Sequence, residues 1–162
     1  MRLLEAGKPE IEISWVERGR PCGGRVDLVN SDGILVELKT ARDVAPRRFG
    51  AQAEALHYVH QLAWYRRGLR AKIGWTNKTW NLDHGYAIER CAIVAVQSVP
   101  PWDVVCYSVS EADLASAECE IDGWLDLLAR CEASGKWPGC EQDVIELVRP
   151  AWAGKADWEV ED

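Results

Sequence analysis

The sequence predicts an α/β (α+β) fold in which a mixed central β-sheet is flanked by helices. Three observations carry this expectation. Residues 10–17 alternate polar and apolar with period two, as a half-buried strand does. Residues 34–38 open on a continuous apolar run, which suits a strand deep in a sheet. Ala51, Ala55, Val59, Leu62, Tyr65 and Leu69 recur at intervals of three and four, as an amphipathic helix requires.

Taken in order, the first strand is Glu10–Glu17, with Ile11, Ile13 and Trp15 on one face. Arg18 to Gly24 is rich in Gly and Pro and reads as a turn. Arg25–Val29 is a second strand. Ser31-Asp32-Gly33 is a short hairpin loop in which Gly33 takes the left-handed position. Ile34–Thr40 is the third strand, and Pro46 precedes one long helix over Arg47–Leu69. Trp75–Tyr86 reads as a loop or irregular hairpin. Strands follow at Cys91–Val96 and Asp103–Val109, separated by Pro100-Pro101. Ser110 can cap a helix from Glu111 to about Ala133, and a short strand is expected over Val144–Val148. Residues 1–152 are read as one domain and 153–162 as an acidic tail.

With 162 residues, the chain is long enough to bury a continuous core. No apolar run reaches the roughly 18–20 residues of a membrane span, and the N-terminus lacks the apolar stretch of a secretory signal. A cytoplasmic protein with no membrane partner is therefore expected. Cys22, Cys91, Cys106, Cys119, Cys131 and Cys140 contain no CxxC pair, and reduced, packed thiols are the expectation, ahead of an iron–sulfur cluster on the last three. The net charge of −7 argues against a generic nucleic-acid binder. Its distribution does not. Residues 39–78 carry nine positive and two negative side chains, whereas residues 111–162 carry fourteen negative and four positive. Such asymmetry makes either a basic face on an acidic body or a solvated helix flank.

The stretch Arg25-Val-Asp27 through Glu37-Leu-Lys39 carries the chemistry. Glu37 and Lys39 leave one face of a strand. If the hairpin turns about Asp32, Asp27 lies opposite Glu37, unless a bulge slips the register by one residue. Two carboxylates brought together in an apolar sheet repel each other and lose hydration, so they need a proton or a cation between them. A hard divalent ion such as Mg²⁺ suits oxygen ligands. Lys39 beside it can orient or deprotonate a water and offset charge on a phosphate. Gln61 and Tyr65, four apart on the long helix, would face a phosphate or the attacking water, and Arg66 and Arg67 would hold a nucleic-acid backbone. The same residues also suit an ordinary salt-bridged hairpin and a core helix with a basic edge. His57 and His60 read as packing or surface residues.

In this order, Gly24-Arg25-Val26-Asp27, Glu37-Leu38-Lys39-Thr40 and Gln61-Leu-Ala-Trp-Tyr65 resemble the PD-(D/E)XK nuclease superfamily, and more narrowly RecE-type exonucleases and related phage-encoded domains. Pro100-Pro101-Trp102, Gly135–Gly139 and Arg149–Trp152 look like the C-terminal half of that family. The resemblance implies a restriction-endonuclease-like core. Asp27 and Glu37 would be metal ligands, the Leu38 carbonyl a third, and Lys39 the catalytic lysine, with Gln61 and Tyr65 beside them. Arg25, Thr40, Arg42, Arg47, Arg48, Arg66 and Arg67 would contact DNA, and Glu10 or Glu12 would match an acidic residue of the first strand. The implied activity is Mg²⁺-dependent (Mn²⁺ substituting) 5′→3′ degradation of duplex DNA from a free end, in recombination or phage DNA processing. A homo-oligomer and a single-strand annealing protein are the implied partners. Only nine residues precede Glu10, fewer than the family's N-terminal helical region. The alternatives are a catalytically inactive DNA-binding or assembly module, an endonuclease of the same superfamily, and a plain structural domain.

Overall fold

A computed structural model describes residues 4, 7–73, 88, 90–139, 144 and 146–148. The element order is β1 (Lys8–Glu17), β2 (Arg20–Val29), β3 (Ile34–Ala41), α1 (Pro46–Ala55), α2 (Tyr58–Ile73), β4 (Arg90–Gln97), β5 (Val104–Val109) and α3 (Glu111–Ser134). The chain divides into two compact units, Met1–Asp126 and Leu127–Asp162. The first holds the sheet. In the second, the last turns of α3 end at Gly135, whose φ of 67° glycine adopts without steric cost.

The sheet runs β1-β2-β3-β4-β5. All neighbours are antiparallel except β3 and β4, which pair in parallel. It is the mixed sheet with helices that the element order predicts, and the apolar third strand lies at its centre. One face carries the main core. Ile11, Ile13 and Trp15 of β1, Leu35 of β3 and Ile93 and Ala95 of β4 meet Phe49 of α1, Leu62 and Ala63 of α2, and Leu114, Ala117 and Ile121 of α3. A smaller cluster, Ile34, Val36, Ala92 and Val94, lies on alternate positions of β3 and β4, hence on the opposite face. Gly68 lets α2 press against β1, since a Cβ there would stand 2.6 Å from the Trp15 ring.

Four expectations are corrected. The turn expected over Arg18–Gly24 shrinks to Arg18-Gly19. Both have positive φ (48° and 80°), the twist that suits a two-residue hairpin, so β2 already starts at Arg20. The single helix over Arg47–Leu69 is two helices, broken at Leu56-His57, where His57 takes φ 55°. The break resets the helical phase. Phe49 and Ala53 are buried in α1, while Ala51 and Ala55, read from the sequence as face residues, are exposed. Val44 is a core residue outside any helix, held beside Tyr107, whose hydroxyl donates to its carbonyl at 2.5 Å. No strand includes Val144 or residues 146–148. The loop expected at Trp75–Tyr86 and the acidic tail lie outside the described residues. Cys22, Cys91, Cys106, Cys119 and Cys131 are free thiols.

Candidate active site

The hairpin of β2 and β3 sets the site. Asn30 shapes its turn. The side-chain oxygen of Asn30 accepts from Asp32 N at 3.0 Å and Ile34 N at 2.9 Å, and Gly33 adopts φ 70°. The resulting register pairs Leu28 with Val36 and Val29 with Leu35. Continued by one residue, it would pair Asp27 with Glu37, but the backbone ladder stops there. Carboxylates replace the missing bonds. Leu38 N donates to Asp27 Oδ2 at 2.8 Å, and Asp27 N donates to Glu37 Oε1 at 3.4 Å. Val26 packs in the large cluster and Leu28 against the small one, so the alternation of β2 slips at Asp27. Each acidic side chain is thereby tied to the backbone that carries the other.

Glu37 is 1 % exposed on the helix-covered face of β3. Burial pushes its carboxyl above the usual range. Lys39 opposes that shift, and the negative charge of Asp27 adds to it. Lys39 Nζ lies 2.9 Å from Glu37 Oε2 and 2.8 Å from Gln61 Oε1. Gln61 Nε2 in turn donates to the Tyr65 hydroxyl at 3.1 Å. Asp27, Glu37, Lys39, Gln61 and Tyr65 thus form one continuous polar chain from two strands and α2. Gly24 belongs to the same arrangement, because a Cβ there would stand 2.5 Å from Tyr65 Cε1. Tyr58 was not singled out by sequence, yet Lys39 Nζ stands 5.1 Å from its ring centroid, within cation–π reach. Gln52 Nε2 donates to the Tyr58 hydroxyl at 3.2 Å. The available signal was the spacing of Tyr58, Gln61 and Tyr65 at three and four on one helix.

The expected DNA contacts divide. Thr40, Arg42, Arg47 and Arg48 are exposed at and beyond the end of β3, with Arg48 paired to Asp43 at 3.2 Å. Arg25 is exposed and pairs with Glu10 at 2.9 Å. Arg66 and Arg67 lie elsewhere, and their reading as backbone contacts is corrected. The Arg66 side chain is 1 % exposed and binds Glu111 at 2.6 Å and Glu118 at 2.8 Å, both on α3. Arg67 binds Asp122 at 2.9 Å and Glu17 at 3.5 Å. The guanidinium of Arg67 holds the Asp122 carboxyl below the usual range. Part of the charge asymmetry of the sequence is therefore met where α2 and α3 pair, Arg66, Arg67 and Arg70 with Glu111, Glu118 and Asp122. Glu111, Glu118 and Asp122 fall seven and four apart, a helical stripe that the sequence displayed. His57 and His60 form an aromatic group with Trp124, and His60 Nε2 is 3.1 Å from Glu120. Both belong to packing rather than to the polar chain around Lys39.

The family described as "PDDEXK-like domain of unknown function (DUF3799)" matches residues 1–149. No curated protein matches. Among solved structures, an exonuclease candidate from Eubacterium rectale is similar, with a TM-score of 0.58 at 16% identity. The alignment covers 90% of this chain and 55% of that one, so the chain spans about half the length of its neighbour. The structure of SSO0001 aligns at a TM-score of 0.40 and 18% identity over 72% of this chain and 49% of that one. The first of these likenesses supports the fold.

Proposed function

The chain belongs to the PDDEXK-like family DUF3799, with a nuclease-like core, and from that premise we propose that it is a metal-dependent deoxyribonuclease. The proposed reaction is RecE-like: 5′→3′ hydrolysis of one strand from a duplex end. The single observation that carries the reading is the buried Glu37, raised in pKa beside Asp27 and bonded to Lys39. A plain surface hairpin would not sink a carboxylate to 1 % exposure next to a second acid.

The donor set fits Mg²⁺, with Mn²⁺ as substitute. It offers hard oxygens from Asp27, Glu37 and the Leu38 carbonyl, and hard dications take such ligands while keeping several waters. When bound, the ion would supply Lewis-acid polarisation of the phosphate and charge neutralisation. Glu37 and Asp27 would hold it. Lys39 would orient the attacking water, accept or shed a proton at Nζ, and offset charge developing on the phosphate oxygens. Gln61, bonded to both Lys39 and Tyr65, would fix the lysine and the position of the scissile phosphate. Arg42, Arg47, Arg48, Thr40 and Arg25 would contact the backbone beyond that point. Polarity, a homo-oligomeric assembly and a single-strand annealing partner rest on the motif resemblance alone.

End-labelled linear duplex and covalently closed circular DNA test the reading together. Mg²⁺-dependent release from the 5′ end of the linear form, with the circle left intact, is expected. Undiminished hydrolysis in EDTA would end the metal reading, and cutting of the circle would make the chain an endonuclease. Among the described residues, no helix is long and apolar enough to cross a membrane.

A further inference from the structure

The turn from β4 to β5 is pinned to the end of β3. Ser98 N donates to the Ala41 carbonyl at 2.8 Å, and Gln97 Nε2 donates to the Arg42 carbonyl at 3.1 Å. These bonds fix the turn beside the segment that follows Lys39. Gln97 at the end of β4 and Val99 of the turn line an open groove of about 580 Å³ with Arg42, Asp43, Arg48 and Gln52. Gln52 connects the groove to the polar chain, since it bonds Tyr58, whose ring lies under Lys39. Next on this turn stands Trp102. Its backbone N donates to the Val99 carbonyl at 3.1 Å, its φ is 66°, and it is 61 % exposed. It stacks on no ring among the described residues.

A tryptophan held in the left-handed region and presented to solvent is unusual, and such backbone persists where the surroundings over-determine it. The neighbouring groove carries Arg42 and Arg48 beside Asp43, with Ala51 and Val99 on its wall. Arg42 and Arg47 form no ion pair among the described residues. An exposed π-surface on the turn that supplies Val99 to a groove holding the unpaired Arg42, and Arg48 paired to Asp43, matches an unstacked nucleobase whose phosphates follow the groove. Arg42 lies three residues beyond Lys39 in sequence, about 10 Å at roughly 3.3 Å per residue. That reach is a few nucleotides.

We propose that Trp102 and the Arg42–Arg48 groove form a subsite for unpaired nucleotides, in which one base stacks on the indole and its phosphates meet Arg42 and Arg48. This rests on the nuclease reading for the adjacent centre. It adds the claim that the strand arriving there is single-stranded on the β4–β5 side.

Binding of a fluorescent single-stranded oligonucleotide, with Ca²⁺ in place of Mg²⁺, tests it. Trp102→Ala should weaken binding about 5- to 150-fold, the range expected for loss of one base–aromatic stack. Trp102→Phe should restore most of it. An oligonucleotide with one abasic position, scanned along its length, should lose affinity at one position in the wild type and at none in Trp102→Ala. Wild-type affinity in the alanine variant overturns the subsite, as does an identical abasic profile in the two proteins. The two readings fail separately. DNA hydrolysis with no effect of Trp102→Ala sinks only the subsite, whereas Trp102-dependent binding without hydrolysis sinks only the nuclease reading.

Discussion

Replacement of Arg66 separates the two roles that a basic helix can serve. Its side chain is 1 % exposed, and three of its bonds reach α3: Nη1 to Glu111 at 2.6 Å, and Nη2 and Nε to Glu118 at 2.8 Å and 3.2 Å. Removing one partner of a buried ion pair costs about 3–5 kcal/mol. Glu111, at 67 % side-chain exposure, returns to water and adds nothing to that figure. The loss comes from Glu118, 26 % exposed, and from the vacated space beneath α3. Arg66→Ala should therefore fall at the low end, about 3 kcal/mol, equivalent to a drop of roughly 6–12 °C in Tm for a domain of this size. Arg66→Met, which keeps the volume, should cost less. Thermal and urea unfolding followed by circular dichroism give the stability, and titration with duplex DNA gives the affinity. Lower Tm with DNA affinity near wild type is expected. A Tm within 2 °C of wild type together with a large loss of DNA affinity would refute the inward-facing role and restore Arg66 to the DNA surface.

Three further outcomes follow from the site and the core. Lys39→Ala should lower Mg²⁺-supported DNA hydrolysis by about 10²–10⁴-fold, the contribution of a positioned proton-transfer group, in a single-turnover assay. Gly24→Ala puts a Cβ 2.5 Å from Tyr65 and should displace that ring from Gln61, which lowers the hydrolysis rate about 10- to 100-fold with little change in Tm. Burial pushes the Cys91 thiol up to about 11. The folded thiol thus keeps its proton where the unfolded one loses it, so stability should fall as pH rises from about 9 to about 11. Cys91→Ala should flatten that stretch of the urea-unfolding profile.

Much of the hairpin was legible because its determinants are local. Period-two patterning, the apolar run of β3 and Gly33 at the turn fix the observed register of Leu28 with Val36. The slip at Asp27 was legible only as an alternative to direct pairing, a bulge of one residue. It depends on side-chain carboxylates taking over backbone bonds, a tertiary event with no composition signature. The helix break at His57 was missed because the apolar spacing runs on through it, and only the backbone shows the phase change. Charge counting found the basic and acidic segments but could not tell a nucleic-acid face from an internal α2–α3 interface. Burial of Arg66 assigns that residue to the α2–α3 interface, while Arg42, Arg47 and Arg48 stay exposed. Tyr58 was passed over because an aromatic on a core helix is ordinarily packing, and its significance appears only with Lys39 above it.

The central claim is that Asp27 and Glu37 jointly hold a divalent cation beside Lys39. A crystal soaked in Mn²⁺ and measured at the manganese absorption edge tests this most directly. An anomalous peak between the two carboxylates, at metal–oxygen distances of about 2.1 Å, is the expected result. A crystal at saturating Mn²⁺ with no peak there, and Glu37 still bonded to Lys39, would contradict it.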